Sequence, residues 1–252
     1  MLTNLEQLQK KNPDLEMVIK GAYEYTYKEQ IYCEENFHFY KNVKESTFTY
    51  QSESLSRLES GEFFKVECVY VLNKDYYPIR TIINKYVGSS HILESYIPDQ
   101  TKTNITYKYS LNKKVEKSVI QVPPKYNIAT SHTCNSFVFL MQKKYDPTGR
   151  NFHNVLVSEN LWEFIETPKM SYVIIIRQGN GTSDYSIKGK KLKSTVYEIY
   201  SSEDYEKLGE KPMMVYISKH YTIPYAIIID EDTKIEIKYL NELDKPKIDE
   251  LY

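Results

Sequence analysis

The sequence predicts a mainly β protein, in which a long curved antiparallel sheet wraps one central apolar helix. Three observations support this prediction. Apolar and polar residues alternate along most of the 252-residue chain, as they do in strands with one buried face. Turn-forming residues recur at the spacing of about 8–12 residues that is typical of antiparallel meanders. The chain also contains 25 tyrosines against 8 glycines, and tyrosine suits a pleated surface because its ring is apolar and its tip is polar.

The first half of the chain is predicted to consist almost entirely of strands. Residues 1–14 form a short amphipathic helical segment in this prediction. From residue 15 the alternation predicts one long strand, or two strands with a bend near Glu34 and Glu35. Glycine, asparagine or proline then ends each later strand. These later strands are predicted at residues 46–58, 63–72, 79–87, 91–97, 103–111 and 115–122.

The helix is predicted near residues 133–145, between the two sets of strands. Serine and threonine at its start can accept hydrogen bonds from the first free amides, and proline and glycine follow its end. Residues 137–141 are five consecutive apolar residues, so the helix would carry apolar groups on most sides. Such a helix has to be covered, and the concave side of a curved sheet is the expected cover.

After the helix the strand pattern resumes and continues to residue 240. We favour one domain over residues 15–240, because one very apolar helix cannot stay covered across a mobile joint between two sheets. Residues 241–252 are predicted to be a loosely held tail. The predicted strands of this half are 152–157, 162–166, 171–178, 185–188, 192–200, 213–218, 223–229 and 233–240.

Four segments suggest a comparison with a known class of fold. They are Gly21-Ala22-Tyr23-Glu24-Tyr25, Ser136-Phe137-Val138-Phe139-Leu140, Ile187-Lys188-Gly189-Lys190, and Tyr216-Ile217-Ser218-Lys219 followed by Ile223-Pro224. In this order they resemble bacterial half-barrel proteins, such as the lipoprotein carriers of the cell envelope and related domains of unknown function. The resemblance implies an apolar cavity between sheet and helix. It transfers no functional residue, and the export signal usual in that group is not recognisable in this sequence.

Charge and cysteine content restrict the partners and the compartment. The net charge is −1, from 33 basic and 34 acidic residues, so no clustered positive field indicates a nucleic-acid partner. The longest apolar runs are too short to span a membrane. Cys33, Cys68 and Cys134 are far apart and odd in number, which fits a reducing compartment. We therefore predict a soluble, cytoplasmic protein.

The sequence offers one weak catalytic candidate. His132, Cys134 and His153 could converge near the helix start, where free amides would depress the pKa of a cysteine and allow a Cys–His nucleophilic pair. A buried free cysteine beside a capping histidine is the more ordinary interpretation. The histidine and cysteine spacings predict neither a metal site nor a cofactor.

The leading functional prediction is binding of an apolar or aromatic small molecule. A sheet this long has to curl, and the space between it and one helix is hard to fill with side chains alone. The expected cavity is lined by Tyr25, Tyr107, Phe137, Met141 and Trp162. Two alternatives stay open: a cofactor-independent enzyme of the cyclase or isomerase type that uses the same pocket, and a structural or interaction protein that forms homo-oligomers through tyrosine-rich strands.

Overall fold

The computed structural model describes residues 14–112, 114–142, 150–179, 181–187, 189–201, 211–218 and 222–243. These residues form a large, open, curved sheet of sixteen strands. The strands are β1 (Leu15–Tyr27), β2 (Gln30–Asn42), β3 (Thr47–Arg57), β4 (Phe63–Leu72), β5 (Pro78–Val87), β6 (Ser90–Pro98), β7 (Asn104–Leu111), β8 (Lys114–Gln121), β9 (Asn127–Ile128), β10 (Arg150–Val157), β11 (Lys169–Arg177), β12 (Ser183–Ile187), β13 (Lys190–Ser201), β14 (Met213–Ile217), β15 (Pro224–Ile228) and β16 (Thr233–Glu242). Their order in the sheet is β8-β7-β6-β5-β4-β3-β2-β1-β16-β15-β14-β13-β11-β10-β9, with β12 paired to β13.

The first eight strands form the predicted antiparallel meander, with one correction. The predicted bend near Glu34 and Glu35 is wrong, because the chain reverses at Lys28 and Glu29 and both glutamates lie within β2. Lys28 and Glu29 have positive φ values of 47° and 65°. Positive φ at both central residues matches the twist of a two-residue β-hairpin turn, but glycine and asparagine are the residues that usually adopt this conformation. The turn therefore carries no recognisable sequence signal.

Strand β1 joins the two halves of the chain, because it pairs with β2 on one side and with β16 on the other. Gly21 lies at this junction. A Cβ atom at Gly21 would come within 2.5 Å of the Phe37 ring and 2.8 Å of the Tyr239 carbonyl oxygen, so only glycine fits. Across the same junction the hydroxyl of Tyr23 donates a hydrogen bond of 2.9 Å to the carbonyl of Pro224. The strands of the described residues thus belong to one continuous sheet.

The predicted central helix is replaced by two short 3-10 turns, Thr133–Asn135 and Val138–Met141. Phe137 lies between them with a non-helical backbone, which interrupts the helical hydrogen bonding. Phe137, Val138 and Phe139 are buried, so the apolar run is covered even though it is not one helix. Residues 143–149, which contain the predicted end of the helix, lie outside the described residues. We call residues 127–142, from β9 through both 3-10 turns, the inner segment.

Three further predictions concern other irregular parts of the chain. The strand predicted at 162–166 is wrong, because residues 158–168 form a loop between β10 and β11; we call it the covering loop. The predicted N-terminal helix lies outside the described residues, as do residues 244–252 of the predicted tail. Among the residues that the structure describes, no helix has the length and apolar character needed to cross a bilayer.

Tyrosine is a major component of the core. Six of the largest fully buried side chains are tyrosines: Tyr23, Tyr50, Tyr70, Tyr96, Tyr107 and Tyr109. Buried tyrosines need partners for their hydroxyl groups. The hydroxyl of Tyr70 accepts a hydrogen bond of 3.2 Å from the amide of Ile128, which attaches the start of the inner segment to β4. Parallel pairing of β9 with β10 holds the same start from the other side.

Candidate functional site

Two cavities lie against the inner segment. The first, which we call the apolar cavity, has a volume of about 280 Å³. The second, the polar cavity, has a volume of about 260 Å³. Ala129, Thr130 and Ser131 line both cavities, and Ser131 is exposed to solvent. This short stretch of the inner segment is therefore a wall that the two cavities share.

The apolar cavity is formed by the inner segment, by β1 and by strands from the second half of the chain. Inward-facing positions of these strands supply Tyr25, Val155, Val173, Ile199, Met213, Ile227 and Ile235. The inner segment contributes the rings of Phe137 and Phe139 from the opposite side. No Asp, Glu, Lys or Arg of the described residues lines this cavity. The cavity therefore offers shape and apolar surface rather than charge.

A buried carboxylate fixes the inner segment beside this cavity. Glu35 has no exposed surface, and it accepts hydrogen bonds from the amides of Thr133 at 2.7 Å and Cys134 at 3.1 Å. The hydroxyl of Tyr25 donates a short hydrogen bond to the same carboxylate and lies 2.8 Å from the hydroxyl of Thr133. Burial and the negative charge of Glu35 raise the pKa of Tyr25. These bonds satisfy a carboxylate that would otherwise be costly to bury.

The polar cavity contains a buried ion pair between adjacent strands. The ammonium of Lys85 on β5 lies 2.5 Å from Glu94 on β6, and the two side chains are only 10% and 1% exposed. Glu94 also accepts hydrogen bonds from the hydroxyls of Tyr96, Tyr107 and Ser158, at 2.9, 2.9 and 2.8 Å. A buried pair needs such additional bonds to offset the loss of hydration.

The covering loop closes over this ion pair. Lys85 donates a hydrogen bond of 2.5 Å to the carbonyl of Asn160. The side-chain amide of Asn160 donates to the hydroxyl of Tyr107 and to the carbonyl of Glu166, and its oxygen accepts from the amides of Ile165 and Glu166. Asn160 thus organises the loop and attaches it to the sheet.

Comparisons with known proteins identify the fold. No family model and no curated protein matches the chain. Among solved structures, it is similar to a beta-barrel-like protein of domain of unknown function DUF1849 from Brucella abortus, with a TM-score of 0.53 and 8% sequence identity, over 90% of this chain and 98% of that chain. The chain has a β-barrel-like fold. At this identity the likeness concerns the fold alone, and it agrees with the half-barrel resemblance of the sequence at that level.

Within this β-barrel-like fold, the three catalytic candidates have surroundings that differ from those predicted. Burial and the nearby Glu35 carboxylate raise the pKa of Cys134 well above its ordinary value, so the predicted depression is wrong. The amides of Thr133 and Cys134, which the prediction assigned to the thiolate, donate to Glu35 instead. His132 has no exposed surface, and burial lowers its pKa. His153 lies on β10, with its ring centroid 4.7 Å from that of Phe139.

The five predicted ligand-binding residues are distributed over the interior. Tyr25 and Phe137 line the apolar cavity. Tyr107 is buried in the hydrogen-bond network of Glu94 and does not line either cavity. Met141 is partly buried in the second 3-10 turn and also lines neither cavity. Trp162 is 41% exposed in the covering loop and packs against Phe64, with ring centroids 4.6 Å apart.

Sequence reasoning missed the Lys85–Glu94 pair, although a signal was present. Lys85 continues the inward alternation of Thr81 and Ile83 on β5, and Glu94 lies between the inward residues Ile92 and Tyr96 on β6. Opposite charges at inward positions of neighbouring strands indicate a buried ion pair, because neither charge could be buried alone. Glu35 was missed for a different reason, since the backbone amides that donate to it are 98 and 99 residues away in sequence.

Proposed function

We propose that the apolar cavity binds an apolar or aromatic small molecule. The observation that carries this proposal is a space of about 280 Å³ with aliphatic side chains of the sheet and two phenylalanine rings on its walls, beside polar residues of the inner segment. A dry apolar cavity of about 150 Å³ is large enough to hold benzene. The cavity therefore has room for a ligand larger than a single benzene ring.

Burial of apolar ligand surface supplies the driving force for binding, at about 25 cal/mol per Å². The hydroxyl of Tyr25 donates to Glu35 and is hydrogen-bonded to the hydroxyl of Thr133, whose backbone amide also donates to Glu35. These two hydroxyls are therefore committed to holding the inner segment. The aliphatic side chains and the two phenylalanine rings select a ligand by shape, and the inner segment adds uncharged polar groups and a histidine to the lining, at Asn127, Thr130, Ser131, His132, Asn135 and Ser136. A cavity held open by such a network is preorganised, which lowers the entropic cost of binding.

The first test is native mass spectrometry of the purified full chain, in which we expect a co-purified small molecule. The second is a ligand-detected NMR titration with toluene, using two variants. Val173→Trp places an indole in the apolar cavity and should abolish toluene binding, because Val173 lines the cavity. Val119→Trp is the matched control, because Val119 is 68% exposed on β8, and this variant should bind like wild type.

Circular dichroism should first show that both variants are folded. Toluene binding that persists in Val173→Trp would contradict the proposal, as would absence of both toluene binding and any co-purified ligand in wild type.

The two alternatives from sequence stay predictions. The cyclase- or isomerase-type enzyme predicts that a co-purified molecule is converted on incubation. The homo-oligomer paired through tyrosine-rich strands predicts a solution mass well above the 29.8 kDa of one chain. Native mass spectrometry of the same sample reports on both.

A further inference from the structure

The polar cavity has a feature that the proposed function does not use, namely a buried ammonium for which the described residues supply only two acceptors. A lysine ammonium has three N–H donors. Glu94 accepts one of those of Lys85 and the carbonyl of Asn160 accepts another. Lys85 lines the polar cavity, and its side chain is nine-tenths buried. An acceptor oxygen placed in this cavity would complete the hydrogen bonding of the ammonium.

The two cavities meet at one short wall. Ala129, Thr130 and Ser131 line both, and Ser131 is exposed. On the polar side, the residues next to Lys85 include the apolar side chains of Phe64, Ile83 and Leu161. A single molecule that occupied both cavities, passing along the exposed residue Ser131, would contact apolar surface on both sides and reach the ammonium at one end.

We infer that the ligand is an amphiphile, with a hydrocarbon body in the apolar cavity and a neutral oxygen head group, an alcohol or a carbonyl, on the ammonium of Lys85. This inference rests on the proposed function and adds the chemical class of the ligand. In this arrangement the hydrocarbon body lies in the apolar cavity, the head group lies in the polar cavity, and residues 129–131 lie between them.

The ion pair is the reason why we infer a neutral head group for the ligand. The carboxylate of Glu94 lies 2.5 Å from the ammonium and balances its charge. One oxygen of Glu94 already accepts hydrogen bonds from the hydroxyls of Tyr96, Tyr107 and Ser158, and these bonds hold the carboxylate in place beside the ammonium. A second carboxylate would add a like charge to a poorly hydrated site, which is unfavourable. An alcohol or carbonyl oxygen accepts the free N–H without that repulsion.

The test is a ligand-detected NMR titration of the full chain with three eight-carbon ligands: 1-octanol, 1-fluorooctane and octanoate. All three share the hydrocarbon body and differ at the head group. We expect 1-octanol to bind roughly tenfold more tightly than 1-fluorooctane, because only the alcohol forms a strong hydrogen bond to a charged donor. Octanoate should bind more weakly than 1-octanol.

Two variants test whether the preference for 1-octanol over 1-fluorooctane comes from the polar cavity. The double variant Lys85→Met with Glu94→Gln removes both charges at similar volume, an exchange that buried ion pairs often tolerate. It should lose the preference for 1-octanol and keep the affinity for 1-fluorooctane. Leu161→Trp fills the polar cavity from its rim without altering the ion pair, since Leu161 is 44% exposed and lines this cavity. It should lose the same preference, and it serves alone if the double variant does not fold.

The outcomes separate the two proposals. Equal binding of 1-octanol and 1-fluorooctane by wild type, or an unchanged preference in the variants, overturns the amphiphile and leaves the apolar cavity as a binding site. Tighter binding of octanoate also overturns the neutral head group. Failure of all three ligands, together with failure of toluene, overturns the proposed function itself.

Discussion

Buried polar residues position the inner segment, and Glu35 is the main example. Its carboxylate is fully buried and accepts hydrogen bonds from two backbone amides and from the hydroxyl of Tyr25. These bonds connect β1 and β2 to the first 3-10 turn, which begins next to the apolar cavity. The same amides are then not available to Cys134, whose pKa is raised by burial first and by the nearby charge of Glu35 second.

Glu35→Gln is expected to lower the free energy of unfolding by about 1–3 kcal/mol, because a buried amide cannot accept every hydrogen bond that the carboxylate accepts. Urea denaturation followed by circular dichroism measures the change. Glu34→Gln is the matched control, since Glu34 is the next residue on β2 and its side chain is 48% exposed in an ion pair with Lys238. Equal losses of stability in the two variants would contradict the role of Glu35.

At the scale of elements, the covering loop is ordered by side-chain contacts rather than by backbone pairing. Residues 158–168 contain no strand, yet Asn160 is buried and bonds the loop to itself and to Tyr107. The loop also supplies Ser158 to Glu94. The polar cavity therefore depends on a loop in which Asn160 makes most of the internal hydrogen bonds, while Ser158 and Trp162 add contacts to the sheet.

Asn160→Ala should loosen the covering loop, because it removes four hydrogen bonds and leaves the amides of Ile165 and Glu166 without their acceptor. We expect faster hydrogen exchange at these two amides and a loss of stability of about 1–3 kcal/mol. Hydrogen exchange measured by NMR tests this. Glu159→Ala, at an exposed neighbouring position of the loop, should leave the exchange unchanged. Unchanged protection in Asn160→Ala would show that the loop is held by other contacts.

For the whole molecule, the junction of β1 with β16 matters most, because it joins the two ends of the described chain in one sheet. The hydrogen bond from Tyr23 to Pro224 connects residues 201 positions apart. Such pairing closes a very long loop, which makes folding slow and couples the two halves.

Strands from both halves should therefore unfold together. Hydrogen exchange with mass spectrometry in increasing urea should show peptides of β4 and β14 losing protection in one step. Gly21→Ala should lower the midpoint of that step for both peptides, since the added methyl group would clash with Phe37 and with the backbone of Tyr239. Gly181→Ala, where the added atom meets open space, is the control. Full exchange of β14 while β4 stays protected would show two independent units.

The sequence by itself determined most of the strands, because alternation with period two is a local property. Strand β4 lies at residues 63–72 as predicted, and Val66, Cys68, Tyr70 and Leu72 face the core. The same alternation places Tyr25 on an inward face. The apolar run at 137–141 also shows, without coordinates, that this part of the chain has to be covered.

Only the tertiary structure decided which distant residues these side chains contact. The reversal at Lys28 and Glu29 and the 3-10 turns in place of a helix depend on pairing and packing with distant strands, which no local pattern encodes. Tyr25 reaches Thr133, 108 residues away, only because the inner segment lies against the sheet. The two cavities arise in the same way, since their walls come from strands and loops far apart in the chain, and sheet curvature and register alone bring them together.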